Sequence, residues 1–362
     1  MRRILLPQQI SEVAPPRGSA VHRLGGLSMG TSWTVLVAGA AVPQQLQASL
    51  QQQLDSVVAE MSHWEAESDL GRYNRAPPGS WLPLPPACFD VLSFAMQVAH
   101  LSGGAYDPCA GAIVNAWGFG PSGRHDQPGF VAPSAARIAE LRAARAAQRL
   151  LLAPPPEVPG TARAGGGRAY QPGGVQLDLS AVAKGYSVDR LAHCLTAHGL
   201  QHFLVEVGGE LRGAGLKPDG QPWWVALEQP PAAPGGAMAG ARMDEIALAL
   251  HGLSVATSGD YRRYFLQGGE RFAHTIDPRS AAPITNRLAS VTVVHPHCMA
   301  ADAWSTALTV LGPEQGLALA ERQGLAARFV LRSGPHGHDG GAETEGYTEY
   351  LSSQMRGMLD DE

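Results

Sequence analysis

Two rhythms of apolar and polar positions alternate along the chain. Period-two alternation, the mark of a half-buried strand, runs through residues 22–38, interrupted by a Met29-Gly30-Thr31 turn or bulge. It returns in residues 175–179, in HFLVEVGGELRGAG with its glycine turn, in residues 223–227, in EIALALHG and in the stretch leading to His295. Helical spacing marks residues 44–61, where Leu46, Leu50, Leu54, Val57, Val58 and Met61 share a face opposite a row of glutamines. A second amphipathic helix spans residues 86–101, opened by Pro86 and closed by Ser102-Gly103-Gly104. Residues 133–152 read as a peripheral helix rich in Arg and Ala, and a further helix follows the strand ending at His295.

The rhythms meet in VQLDLSAVAKGYSVDR, residues 175–190. Val175, Leu177 and Leu179 alternate with Gln176 and Asp178. Beyond Ser180 the pattern turns helical: Lys184, Val188, Leu191 and Leu195 fall at i, i+4, i+7 and i+11, so the ammonium stands in line with core residues and is turned inward. Ser180 suits an N-cap, and a helix start offers backbone N–H groups to an anion that Lys184 would reinforce. A phosphate-bearing ligand fits; so does a lysine that snorkels past a capping serine.

Composition narrows the partners. The 362 residues carry a formal charge of −5, with 44% apolar and 16% charged residues, which disfavours general nucleic-acid binding and attraction to an anionic membrane. Any phosphate must therefore be held locally. The 43 Gly and 28 Pro imply many turns. Four cysteines stand far apart without a C-x-x-C pair, as buried small apolar residues do. No run approaches the roughly 20 apolar residues of a membrane helix. Residues 1–20 read as a disordered leader lacking a signal-peptide core or lipobox, so a cytoplasmic location is expected as written and a periplasmic one if the true start lies upstream. One domain is expected over residues 21–335, with flexible insertions near 121–133, 153–174 and 229–241, and a polar tail over 336–362.

Candidate chemistry gathers in four places. Gly118 and Gly120 around Phe119, after Trp117, would let rings and backbone approach a flat ligand, or make an aromatic core turn. Thr257, Ser258, Gly259, Asp260 and Tyr261 crowd hydroxyls and a carboxylate into one turn, with Arg262, Arg263 and Arg271 nearby. His274, expected on a strand, precedes the turn Asp277-Pro278-Arg279 and is a candidate general base. Asp302 and Thr306, four apart, put carboxylate and hydroxyl on one helix face, a donor set that suits Mg²⁺, although an acidic residue near a helix start also favours the helix dipole.

Taken in order, MGTSWTV, DPCAGAIVNAWGFG, LDLSAVAKGYSVD, VEVGGELRGAG, VATSGDYRRYF, HTIDPRSAAPI and ADAWSTALTVLG resemble the ApbE family of FAD:protein FMN transferases, from about residue 24 to 330. The resemblance implies an α/β protein with a T-fold-type core of mixed sheets flanked by helices. It implies FAD as substrate and Mg²⁺ held by Asp302, Thr306 and the Ala181 carbonyl. It places Met29, Trp64, Trp117, Gly118, Phe119, Asp178, Lys184, Ser258, Thr275 and Ile276 around FAD, and makes His274 the base that deprotonates the acceptor. That acceptor would be a flavoprotein with an Asp-x-x-Ser/Thr-Gly-Ala-Thr/Ser segment, to whose hydroxyl FMN is attached as AMP leaves. An FAD pyrophosphatase and a flavin carrier without turnover are the alternative functions. Trp64 stands where many relatives show Tyr, and Ser280-Ala281-Ala282 replaces a Thr-Gly arrangement.

Overall fold

A computed structural model describes residues 3–10, 13–155, 166–230, 245–333 and 346–360. The chain forms two compact units, the first from residues 1–54, 184–262 and 285–362, the second from residues 55–183 and 263–284. Among the described residues, no helix is long and apolar enough to cross a membrane.

In the first unit the strand pattern builds an antiparallel eight-stranded sheet. Its spatial order is Gly346–Leu351, Ala326–Ser333, Leu288–His295, Leu253–Gly259, Glu210–Ala214, Phe203–Val207, Thr31–Gly39 and Ala20–Ser28. Alternation gives each sheet face its own core. Trp33, Val35 and Val37 turn towards Leu46, Leu50 and Leu54 and towards Val188, Leu191 and Leu195. Leu36 and Ala38 face the other way, onto Leu5, Trp223, Ile246 and Leu248 of a second, three-stranded sheet. Each fully buried aliphatic side chain contributes about 1.5–3 kcal/mol. The helix Cys298–Gln323 packs on strands Leu253–Gly259 and Leu288–His295, and its path breaks at Gly312, whose φ of 79° precedes Pro313.

Both chain ends depart from the expectation. Arg3–Leu5, placed in a disordered leader, is a strand paired in parallel with Ile246–Leu248, and Leu5 is fully buried. Gly346–Leu351, placed in a polar tail, pairs with Ala326–Ser333, and the short helix Ser353–Arg356 buries Met355. Polar composition hid these elements because an edge strand buries little apolar surface.

In the second unit, Ser68 and Ser134 accept hydrogen bonds from Gly71 and Arg137 N–H and so start the helices Asp69–Arg75 and Ala135–Ala147. Helix Pro86–Leu101 buries Cys88, Phe89, Val91, Leu92, Ala95 and Val98. Residues 175–179 are not the regular strand that alternation predicts. Val175, Leu177 and Leu179 are buried as expected, but side chains supply most of the backbone partners. Asn74 bonds both the N–H and C=O of Leu177, at 2.7 and 2.9 Å, and Gln171 does the same for Val175, at 3.3 and 2.9 Å. Residues 121–133 contain neither helix nor strand. Residues 156–165 and 231–241 of the other expected insertions lie outside the described residues.

Candidate functional site

In the first unit, Gly185 sets the site. A methyl group there would lie 2.3 Å from the Cys298 carbonyl oxygen and 2.7 Å from Asp302 Cβ, so only glycine lets the two helix starts approach this closely. Asp302 Oδ2 accepts the Gly185 N–H at 2.9 Å, the donor that a regular helix aims at the carbonyl of residue 181. The backbone at Ala181 leaves the helical region, with φ −95° and ψ 20°. Asp189 reinforces the crossing: its carboxylate accepts the N–H groups of Cys298 and Met299 at 3.0 and 2.9 Å and pairs with Arg212 at 2.6 Å. Thr306 follows Asp302 by one turn, half-buried, and its hydroxyl has no protein partner among the described residues.

Lys184 pairs with Glu210, which stands after the Gly208-Gly209 hairpin turn. Glu210 is 2% exposed and Asp302 4%, and the Lys184 ammonium, paired with Glu210, also lies within the electrostatic reach of Asp302. Burial pushes the Glu210 carboxyl up to about 7, with Lys184 pulling it down and Asp302 pushing it further up. Burial likewise raises Asp302 against the pull of Lys184 and the Gly185 N–H. Desolvation opposes the Lys184 charge, but Asp302 and Glu210 outweigh it and hold the ammonium above its ordinary value. The second Glu210 oxygen, Oε2, is buried and accepts no hydrogen bond. Met29 and Gly30 both adopt positive φ, 51° and 70°, in the two-residue loop joining Ser28 to Thr31. That is a costly conformation for Met. A methyl on Gly208 would meet Thr31 at 3.0 Å, and one on Gly209 would meet the Arg262 guanidinium at 2.8 Å. Arg262 itself pairs with Glu228 and donates to the Gly208 carbonyl at 3.3 Å.

The polar cluster expected at residues 257–261 is divided. Thr257, Ser258 and Gly259 finish a strand, Ser258 opposite Val291, and the turn begins at Asp260, whose carboxylate is held by Arg332 at 2.6 and 2.9 Å. Arg271 stacks on Tyr264 at 4.3 Å.

In the second unit, His274 lies just beyond the strand Glu270–Ala273 rather than within it. Its Nδ1 meets the Arg263 carbonyl at 3.0 Å, and a carbonyl only accepts. Nδ1 therefore carries the proton, and Nε2 is the basic nitrogen of the neutral ring. Phe119 stands edge-on to His274, ring centres 6.3 Å apart. Thr275 and Ile276 follow, both buried. Trp117 is a core residue: it is buried, and its indole N–H donates to the Ala281 carbonyl at 2.9 Å. Gly118 and Gly120 serve the protein's own packing, since methyl groups there would lie 2.6 Å from the His125 nitrogen and 2.0 Å from Asn115 Oδ1. Trp64 is 46% exposed, with Arg124 5.9 Å from its ring.

Asp178, not Ser180, closes the helix start. Its Oδ1 accepts the Ser180 N–H at 2.8 Å and hydroxyl at 2.6 Å, with His63 Nδ1 3.4 Å away. The sequence singles out Lys184, Asp302 and His274 as candidates but not Glu210, Asp189 and Gly185. Glu210 appeared only as part of a glycine turn, and its signal would have been an acidic residue at an inward position of a strand.

The first unit thus carries two buried carboxylates beside a lysine, and the second a histidine in a fixed tautomer, on a mixed α/β scaffold. The ApbE family model matches residues 29–329. An FAD:protein FMN transferase of Klebsiella pneumoniae (strain 342) is 33% identical over 341 residues, 93% of this chain and 89% of that protein. One from Haemophilus influenzae is 34% identical over 91% of this chain and 92% of its own length. Among solved structures, the flavinyl transferase ApbE of Pseudomonas stutzeri superposes with a TM-score of 0.77 at 34% identity, covering 94% of this chain and 97% of its own. ApbE from Vibrio cholerae gives 0.76 at 30% identity over 94% and 100%. The chain belongs to the ApbE family.

Proposed function

We propose that the protein transfers FMN from FAD to a Thr or Ser hydroxyl of an acceptor flavoprotein, with Mg²⁺ required. The observation that carries this reading is a pair of buried carboxylates, Glu210 and Asp302, of which only Glu210 is in an ion pair with Lys184, while one Glu210 oxygen lacks any donor. Uncompensated buried charge is costly, and a cation relieves it. Asp302 and the unpartnered Thr306 hydroxyl, one helical turn apart, are oxygen donors of the kind Mg²⁺ takes. The Ala181 carbonyl, whose usual helical donor is drawn to Asp302, is the third candidate ligand. When bound, Mg²⁺ would neutralise charge on the phosphoryl oxygens.

The chain's own groups supply the rest. Lys184 would hold a phosphate oxygen of FAD, with Met29, Trp64, Phe119, Asp178, Ser258, Thr275 and Ile276 around the rest of the molecule; the burial of Trp117 and the packing of Gly118 make their part that of supporting Phe119. His274 Nε2 would take the proton of the acceptor hydroxyl as its oxygen bonds the FMN phosphorus. The bond from that phosphorus to the bridging oxygen then breaks, and AMP leaves with the bridging oxygen.

The test incubates the protein with FAD, Mg²⁺ and a polypeptide bearing an Asp-x-x-Ser/Thr-Gly-Ala-Thr/Ser segment. An FMN mass increase on the segment's hydroxyl supports the proposal. Rapid release of free FMN and AMP with no labelled segment would identify water as the acceptor and replace transferase with pyrophosphatase. His274→Ala is expected to slow transfer roughly 10²- to 10⁴-fold while FAD affinity stays nearly intact; equal loss of both would make His274 structural.

A further inference from the structure

The Arg- and Ala-rich helix Ala135–Ala147 takes no part in the chemistry above, yet with the end of helix Pro86–Leu101 and the 278–279 turn it lines an open surface cavity of about 650 Å³. Cavities of roughly 300–1,000 Å³ suit small molecules. Arg142 and Arg145 share one helix face, Arg149 follows just past the helix end, and Arg279 lines the same cavity from the 278–279 turn. Asp107 is the one carboxylate among the lining residues.

Two of the four guanidinium groups are fixed in place. Arg145 grips Asp107 in a fork at 2.5 and 2.9 Å, both largely buried, and Arg279 grips Asp277 at 2.9 and 2.8 Å. The other two have no carboxylate partner among the described residues. Arg149 bonds only the carbonyls of Ala146 and Gln148, at 2.7 and 2.9 Å, and Arg142 makes no ion pair. The result is two uncompensated positive charges facing one hollow on a chain whose formal charge is −5. Solvation of a generally basic surface does not explain a local concentration of this kind.

We propose that this cavity binds an oligophosphate, a ligand with two or more linked phosphate groups. Planar guanidinium forks match phosphate oxygens bidentately. The stretch from residue 142 to 149 spans about 10 Å at the helical rise, longer than one phosphate and suited to a short chain of them. The Arg145 and Arg279 forks are already taken up by Asp107 and Asp277, so the ligand's contacts fall to Arg142 and Arg149. This site shares no residue with the Lys184 centre, so the proposal stands or falls apart from the transfer reaction.

The test is calorimetric titration of inorganic pyrophosphate into the full chain, in magnesium-free buffer of low ionic strength, with and without saturating FAD. Pyrophosphate is expected to bind at one site with FAD present. Arg142→Glu combined with Arg149→Glu is expected to weaken binding at least about tenfold, as loss of charge-assisted hydrogen bonds requires. Lys184→Gln is expected to leave this binding unchanged. Both arginines are exposed, and a thermal melt matching the parent verifies that the double variant folds. Inorganic phosphate and AMP, each with a single phosphate, should bind more weakly than pyrophosphate. Comparing tripolyphosphate with ATP separates the sources: equal affinity points to a free oligophosphate, tighter ATP to a nucleotide. The proposal is overturned if pyrophosphate does not bind, or if FAD or Lys184→Gln abolishes binding while the double arginine variant retains it. It is also overturned if the double variant only slows modification of an acceptor protein, which would make the cavity a protein-docking face.

Discussion

Gly185 shows how much rests on a missing methyl group. Adding one places it 2.3 Å from a backbone carbonyl oxygen, which cannot swing aside as a flexible side chain would. Gly185→Ala is therefore expected to destabilise the protein by about 1–3 kcal/mol in urea unfolding and to disturb the Asp302 contact, with loss of flavin transfer beyond the stability change. His202 offers a second single-residue test. It is buried with Nδ1 accepting the Leu216 N–H at 3.0 Å, and burial, aided by His251, lowers its pKa below the usual 6.5. The unfolded chain then takes up a proton that the folded one refuses. The contribution of His202 to stability is full above pH 6.5 and falls as pH drops through that value, at up to about 1.4 kcal/mol per pH unit. His202→Asn, which keeps an acceptor but does not titrate, should flatten that part of the stability–pH curve; an unchanged slope would remove His202 as its source. Neither residue announces itself in sequence: a glycine after a lysine and a histidine before a strand are ordinary until the neighbouring chain is in place.

The element formed by residues 175–179 was half legible. Alternation placed Val175, Leu177 and Leu179 inward, and all three are buried. It could not say what bonds the backbone, because a ladder of main-chain partners and a ladder of Asn and Gln side chains impose the same burial pattern. Asn74, about a hundred residues earlier, bonds both groups of Leu177. Asn74→Ala should leave that N–H and C=O without partners and cost roughly 2–6 kcal/mol, from about 1–3 kcal/mol per unsatisfied group. Hydrogen exchange at the Leu177 amide should rise in step. If stability is unaltered, water or a neighbour replaces the Asn. The helix from Ser180 was read correctly in its inward stripe, with Val188, Leu191 and Leu195 fully buried, but its cap belongs to Asp178.

Across the molecule, residues 346–360 make the sharpest contrast with composition. Glu349 pairs with the fully buried Arg328, whose Nη1 also donates to the Glu228 carbonyl, and with Arg3 from the far end of the chain. Desolvation lowers the Arg328 pKa, and Glu349 works against it. Removing one partner of a buried pair commonly costs about 3–5 kcal/mol. Deleting residues 346–362 also bares the edge of strand Ala326–Ser333, so the truncated protein is expected to melt well below the full chain and to aggregate; an equal melting temperature would show that these residues are dispensable. Sequence by itself determined which positions are apolar, where helices and strands alternate, and that a lysine stands in line with core residues, because these follow from local spacing. It also carried the ordered motifs that resemble the ApbE family. Only the tertiary structure decided that Glu210 pairs with Lys184, that Gly185 admits a second helix start, and that Arg3–Leu5 and Gly346–Leu351 join sheets. Those are contacts between residues far apart in sequence, and the free energy of burying charge or pairing an edge strand exists only once distant segments meet.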